Sequence, residues 1–473
     1  MKEKDISRLL ERYEQMLVSG KNIYFDADEF DELADYYDKL DDIETAKEVI
    51  ELGLKIHPNN ELLMLRYARF YIYDAEYTEA LQYLNTHFNS YNFDLYLLMI
   101  ECMLQLGLFT EAHELAIEVL EDEDTEKEVA LSELGFLYVE AEYFDEAILY
   151  FEKSLEYDSD NKDVLNDLAY AYEAKGDFAE AVRVCERILD LDPYAFDTWL
   201  TLGKLYSLDE DYEKAVDAFD FALTLDEGNV NVLKLKAHCL ILSDRALEAI
   251  DILKQSIEIA PEDKMLYLTL IDCYLELEEP DNMLNVIEQF EARFGDVPES
   301  LIKKAYAFFI KDNTVEAENI LKQVLDKNTD SPDVYTIVGN LYYRMGEIQS
   351  AEDLYKKVLT FDDEYNEDIL NKLVVLYLSQ NDIGNAIEYQ KKIVELTDSS
   401  TSKIKLALLY MESSNKIEFK DYIDSLDDTE LSSLLSIFYP EEQINLSNID
   451  RNYIIVRLDD VFESRLLYKN IKY

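Results

Sequence analysis

Residues 197–229 read DTWLTLGKLYSLDEDYEKAVDAFDFALTLDEGN, and this stretch decides how the rest of the chain is read. Trp199, Leu202, Gly203 and Tyr206 fall on one face of a helix. Ala215, Phe219 and Ala222 form a second such stripe, and Leu208-Asp-Glu-Asp211 supplies a polar turn between them. Small residues stand where two helices cross closely, and large ones fill the space beside them. The spacing has a packing cause and carries no catalytic grouping.

Working outward, the same arrangement recurs along the chain. Alanines stand at Ala46, Ala80, Ala112, Ala147, Ala181, Ala215, Ala249, Ala317, Ala351 and Ala386, in steps of 34 or within two residues of it. The single exception is a step of 68, where Met283 occupies the missing place. Residues 332–365 repeat the pattern with Tyr335, Val338, Gly339, Tyr342, Ala351 and Tyr355. Residues 162–193 do so with Leu165, Leu168, Ala169, Tyr172, Ala181 and a closing Pro193. The first unit has Phe30, Leu33, Ala34, Tyr37, Ala46, Ile50, Gly53 and Pro58. A hairpin of this size cannot bury its apolar faces alone, so neighbours must stack into a shared core.

These residues follow W-x2-L-G-x2-Y and then A-x3-F, and the chain thereby resembles the tetratricopeptide-repeat (TPR) family, in the style of its large acidic bacterial members. The resemblance implies an all-α TPR α-solenoid, a right-handed superhelix of helix-turn-helix repeats with terminal caps. About eleven units span residues 27–400. Residues 1–26, with SRLLERYEQML, read as an N-terminal capping helix. Residues 401–473 read as a degenerate repeat and a C-terminal cap, in which Tyr453-Ile-Ile-Val-Arg-Leu458 is expected as a short strand or extended segment. Departures are local: Ile100 stands where a small residue is usual, and the loop EDEDTEK at 121–127 is either a joint or a longer turn.

Composition excludes several functions. Lys+Arg 44 against Asp+Glu 103 leaves a formal charge of −59, which repels nucleic-acid phosphates and anionic membrane surfaces. Residues 1–26 are neutral and residues 447–473 carry +1, so −60 falls on the repeats between them. No apolar run reaches the roughly 20 residues of a spanning helix, and the charged start lacks a signal peptide's apolar centre. Cys102, Cys185, Cys239 and Cys273 are far apart, as in a reducing cytoplasm, and three of them share one place in their units, a packing role. His57, His87, His113 and His238 have no second ligand at metal spacing. No metal or cofactor is expected, nor any enzyme: the sequence has no Ser/His/Asp grouping and no Gly-rich phosphate loop.

The resemblance implies that the first helix of each pair lines a concave groove that binds a peptide or a partner protein. The family's carboxylate clamp is not matched, since its places hold Lys234, His238, Thr269, Glu299 and Lys303, and Glu299 has the wrong sign. Nor is there an asparagine ladder, whose places hold Asp167, Thr201, Leu235, Thr269, Lys303, Ile337 and Lys372. By spacing, Tyr170, Lys204, His238, Tyr306 and Asn340 occupy like places on five first helices, with Lys234, Lys303 and Arg344 nearby. These eight are the candidate groove residues, for an acidic or mixed peptide; ordinary solvated positions are the alternative. The acids at helix starts, Asp28, Asp94, Asp163, Asp197, Glu299, Asp333 and Asp368, suit free N–H groups there or form an acidic rim. The tyrosines at the motif place, such as Tyr172, Tyr206 and Tyr377, are core residues with the hydroxyl at the helix edge.

The expected function is a non-catalytic cytoplasmic scaffold or adaptor. The competing expectation is an acidic chaperone-like or assembly factor that shields basic clients. Self-association through the apolar C-terminal stretch is open, and no residue pattern favours it.

Overall fold

With helices numbered α1 to α27 in chain order, residues 197–229 fold as α12 (Phe196–Leu208) and α13 (Tyr212–Leu225). The computed structural model describes residues 3–19, 23–88, 92–123, 125–327, 331–361, 366–439 and 451–471, and among them every regular element is an α-helix. Eleven helix pairs follow one another from α2 (Ala27–Asp38) and α3 (Ile43–Ile56) to α22 (Asn366–Ser379) and α23 (Ile383–Thr397). A further pair, α24 (Ser400–Glu412) and α25 (Lys416–Ser425), precedes α26 (Asp428–Phe438) and α27 (Arg451–Ile471).

The turn inside each pair is built on the backbone. Glu210 takes a left-handed conformation at φ 61°, and Asp41, Ala75, Gly107, Glu142, Gly176, Asp244, Glu278, Asp312, Gly346, Asn381 and Ser414 keep the same period. In α12 this reversal lets Asp211 N–H donate to the Tyr206 carbonyl (2.9 Å), which closes the helix end. The starts of first helices are held by side chains. Asn60, Asn92, Asn161 and Asn229 each accept the N–H three residues on, at 3.0 to 3.3 Å. The acids noted above lie in the first turns of first helices, Asp94 and Asp163 just inside such caps, where the macrodipole favours negative charge.

The helix crossing obeys a volume rule. A Cβ added to Gly135, Gly203 or Gly339 would stand 2.5, 2.4 or 2.8 Å from the ring of Phe151, Phe219 or Tyr355, sixteen residues on. Where the first place is alanine, the second is aliphatic or cysteine: Ala34 with Ile50, Ala68 with Leu84, Ala169 with Cys185, Ala305 with Leu321. The unusual Ile100, on α6 (Phe93–Gln105), shares its cluster with Ala116 on α7 (Phe109–Glu121). Large and small are simply exchanged, and close packing is kept.

The chain forms two compact units, Met1–Ile252 and Leu253–Tyr473, divided within α15 (Ala246–Ile259). The loop 121–127 lies inside the first unit, where Lys127 Nζ donates to the carbonyls of Leu120 and Asp122. In the first unit α1 (Glu3–Ser19) lays Leu9 and Tyr13 against a cluster with Phe25, Phe30 and Leu33, and Arg12 sits 4.6 Å from the Phe25 ring centre. In the second unit the segment 453–458, expected as a short strand or extended segment, is helical within α27. Ile454, Leu458 and Phe462 fall four residues apart on one face and are buried, with Phe462 stacked on Phe419 at 5.1 Å. Lys416 and Lys420 bind Asp459 on the next turn. Burial of that face outweighs the β-propensity of Tyr453-Ile-Ile-Val456.

Candidate functional site

In the second unit, α16 (Lys264–Glu276), α18 (Pro298–Ile310) and α20 (Pro332–Met345) are the first helices of three successive pairs. Proline opens the latter two, at a place where no N–H is needed. Together they wall a cavity of about 720 Å³. Its floor is apolar: Leu268, Leu275, Phe290, Ile302, Ile337 and Leu341. Ile337 is 48% exposed, a large aliphatic side chain left open to solvent.

Polar groups rim this floor. Arg344 donates to the Tyr306 hydroxyl at 2.6 Å and lies 5.2 Å from its ring centre. Lys264 Nζ stands 5.5 Å from the Phe294 ring centre. Neither cation has a carboxylate within ion-pair distance among the described residues, in a chain of charge −59. Lys303, by contrast, is paired with Asp272. Tyr355 donates to Asn340 Oδ1 at 2.8 Å, which leaves the amide NH₂ of Asn340 as a donor. Glu299 and Asp333 complete the rim.

Four of the eight residues singled out from the sequence, Lys303, Tyr306, Asn340 and Arg344, thus meet at one cavity. The other four lie in the first unit. Tyr170 is exposed and lines a smaller cavity of about 160 Å³ with Asn166, Glu173 and Thr201. Lys204 and His238 are exposed, on α12 and on α14 (Val230–Leu242), and Lys234 is half-buried; none of the three lines either cavity. The apolar floor was missed, although Leu268 and Ile302 stand one repeat apart in the sequence.

The cysteine thiols are poorly placed for nucleophilic chemistry. Burial pushes the Cys102 and Cys185 thiols up to about 12 and that of Cys273 to about 11, far from nucleophilic thiolates. All four cysteines are buried and free. Among the described residues no group of three or more His, Cys, Asp or Glu could hold a metal ion, and no helix is long and apolar enough to cross a membrane.

Two family models, both described as tetratricopeptide repeat, match the chain: one at residues 138–194, the other at 31–60, 196–229, 332–365 and 367–399. These segments of the chain are tetratricopeptide repeats. Tetratricopeptide repeats hold protein or peptide partners, and at that level of description the chain is a protein-interaction scaffold. No curated protein matches it. Among solved structures it is similar to MamA at 23% identity, over 35% of this chain and 91% of that one, with a TM-score of 0.33. It is similar to YrrB, titled a TPR protein with an unusual peptide-binding site, at 18% identity over 38% and 93%, with a TM-score of 0.33. The C-terminal part of a TPR repeat-containing protein from Cytophaga hutchinsonii shares 17% identity over 50% and 98%, with a TM-score of 0.41.

Proposed function

We propose that the chain is a non-catalytic scaffold that holds a segment of a partner protein in the groove walled by α16, α18 and α20. The observation that carries this reading is the cavity itself. An open apolar floor of about 720 Å³ offers burial to aliphatic or aromatic anchors, and its rim offers the Asn340 amide with the cations Lys264 and Arg344. Those cations are held against rings and lack carboxylates of their own among the described residues, so the fitting partner is a segment with apolar anchors and acidic side chains beside them.

The test is capture of partners from a native lysate by the full chain and by Ile337→Glu, with washes at low and high salt. One partner retained in stoichiometric amount at high salt by the wild type, and lost from Ile337→Glu, is the expected result. A crowd of basic proteins that leaves both chains alike as salt rises would overturn it, in favour of an acidic chaperone acting through its overall charge.

A further inference from the structure

A second cavity, of about 460 Å³, lies in the first unit between α11 (Phe178–Leu191) and α13, the second helices of two successive pairs. One wall is aromatic. Trp199 and Phe221 stack with ring centres 4.5 Å apart and 15° between planes, and Trp199 Nε1 donates to the Pro193 carbonyl at 2.9 Å, which fixes the indole. Phe221 is 53% exposed. Its place in five other units is polar: Arg187, Gln255, Gln289, Gln323 and Lys357. The helix crossing does not call for a ring here, because the buried Phe219 already fills the space beside Gly203.

The remaining walls are acidic. Glu186, Asp190 and Asp217 line the cavity, and none is in an ion pair among the described residues; Glu186 accepts only from the Tyr206 hydroxyl, at 3.5 Å. The single cation of the lining, Lys214, is taken up by Asp211 at 2.7 Å. A flat aromatic face beside three carboxylates, of which Asp217 feels the charge of Arg245, itself paired with Glu213 and Glu248, is complementary to a flat cation. Guanidinium stacks on an aromatic ring and donates two parallel hydrogen bonds to a carboxylate, which ammonium cannot do.

We propose that this slot takes an arginine side chain from a basic segment of a partner protein. The site lies in the first unit and does not depend on the groove of the second. It also differs from attraction by overall charge, because it prefers arginine over lysine at equal charge and resides in named residues.

Trp199 is the only tryptophan of the chain, so its emission reports on this place alone. The full chain is titrated with a short Arg-Gly-Ser repeat peptide and with its lysine counterpart, at physiological ionic strength, by fluorescence and by calorimetry. The expected result is a saturable change in Trp199 emission with the arginine peptide, and binding about tenfold weaker for the lysine peptide. Phe221→Gln and Asp190→Asn each weaken the arginine peptide by about tenfold in calorimetry, while Ile337→Glu leaves it unchanged. Binding without any change in emission overturns the proposal. So does equal affinity for the two peptides, or equal affinity in Phe221→Gln and Asp190→Asn, each of which would return the interaction to diffuse charge. A failure here leaves the groove reading intact, and a failure of Ile337→Glu to lose its partner leaves this one intact.

Discussion

Pairs α12/α13 and α6/α7 meet the same packing demand in opposite ways. In the former, Gly203 on the first helix leaves room for the Phe219 ring on the second. In the latter, the bulk is Ile100 on the first helix and the small residue is Ala116 on the second. The departure from the repeat pattern at Ile100 is therefore a compensated exchange. In these two pairs the crossing is filled by the sum of the two residues, and by neither alone.

The sharpest break of that comparison is Ile100→Ala, which leaves two small residues facing each other. We expect it to cost about 2–5 kcal/mol, from lost transfer and an unfilled cavity. Denaturant unfolding followed by far-UV circular dichroism measures it, and adding Ala116→Ile should recover most of the loss. If the second change recovers nothing, the two places do not exchange volume. Gly203→Ala tests the other pair. Alanine in place of glycine within a helix ordinarily gains about 1 kcal/mol, but here the new Cβ would lie 2.4 Å from Phe219. A net cost of about 1–3 kcal/mol is expected, relieved when Phe219→Leu is added. A stabilised single variant would show that the ring moves freely.

This volume rule explains how much could be read in advance. The period was legible because close helix crossing allows few residues at Gly203, Ala215 and their counterparts, so the constraint repeats at every unit. Helix α27 was misread because the β-branched run at 454–456 was weighed ahead of the spacing of Ile454, Leu458 and Phe462, which was equally visible. The division within α15 has no mark in composition at all. At the groove, family spacing brought Lys303, Tyr306, Asn340 and Arg344 to one cavity, yet the apolar floor escaped because Leu268 and Ile302 look like any other core residues. The Trp199–Phe221 slot escaped for a related reason. Trp199 fits the motif stripe so well that the oddity of an aromatic residue at 221 went unread.

Two glutamates extend the contrast to electrostatics, at a smaller scale. In the second unit, burial pushes Glu352 up, but hydrogen bonds from Lys356 and from Tyr377 (2.6 Å) outweigh it and hold the carboxyl below its ordinary value. In the first unit, burial raises Glu101, opposed by Arg69 and assisted by Glu140. The signs differ accordingly. The contribution of Glu352 is present above its unfolded pKa, about 4.5, and is lost as pH falls through the lower folded value. Glu101 instead costs stability once pH has risen above its folded value, and costs nothing below its unfolded one. Glu352→Gln should thus lower the unfolding midpoint at pH 7 and converge with the wild type in acid. Glu101→Gln should raise it at pH 7 and converge likewise. The same direction for both would break the contrast.

The smallest expected effect bears most directly on function. Phe219 and Phe221 stand two residues apart on α13, one fully buried against Gly203 and the other 53% exposed on Trp199. Truncating the first removes core packing and should cost about 3–5 kcal/mol. Replacing the second with glutamine, as found at 255, 289 and 323, should shift stability by no more than about 0.5 kcal/mol, because its surface is already wet and the repeat tolerates a polar side chain there. Parallel denaturant curves for Phe219→Ala and Phe221→Gln decide the matter. If Phe221→Gln is as costly as a core change, the aromatic pair is a packing device and the slot is not free to serve a ligand. If stability is unchanged, the ring is present at that place for something other than the fold.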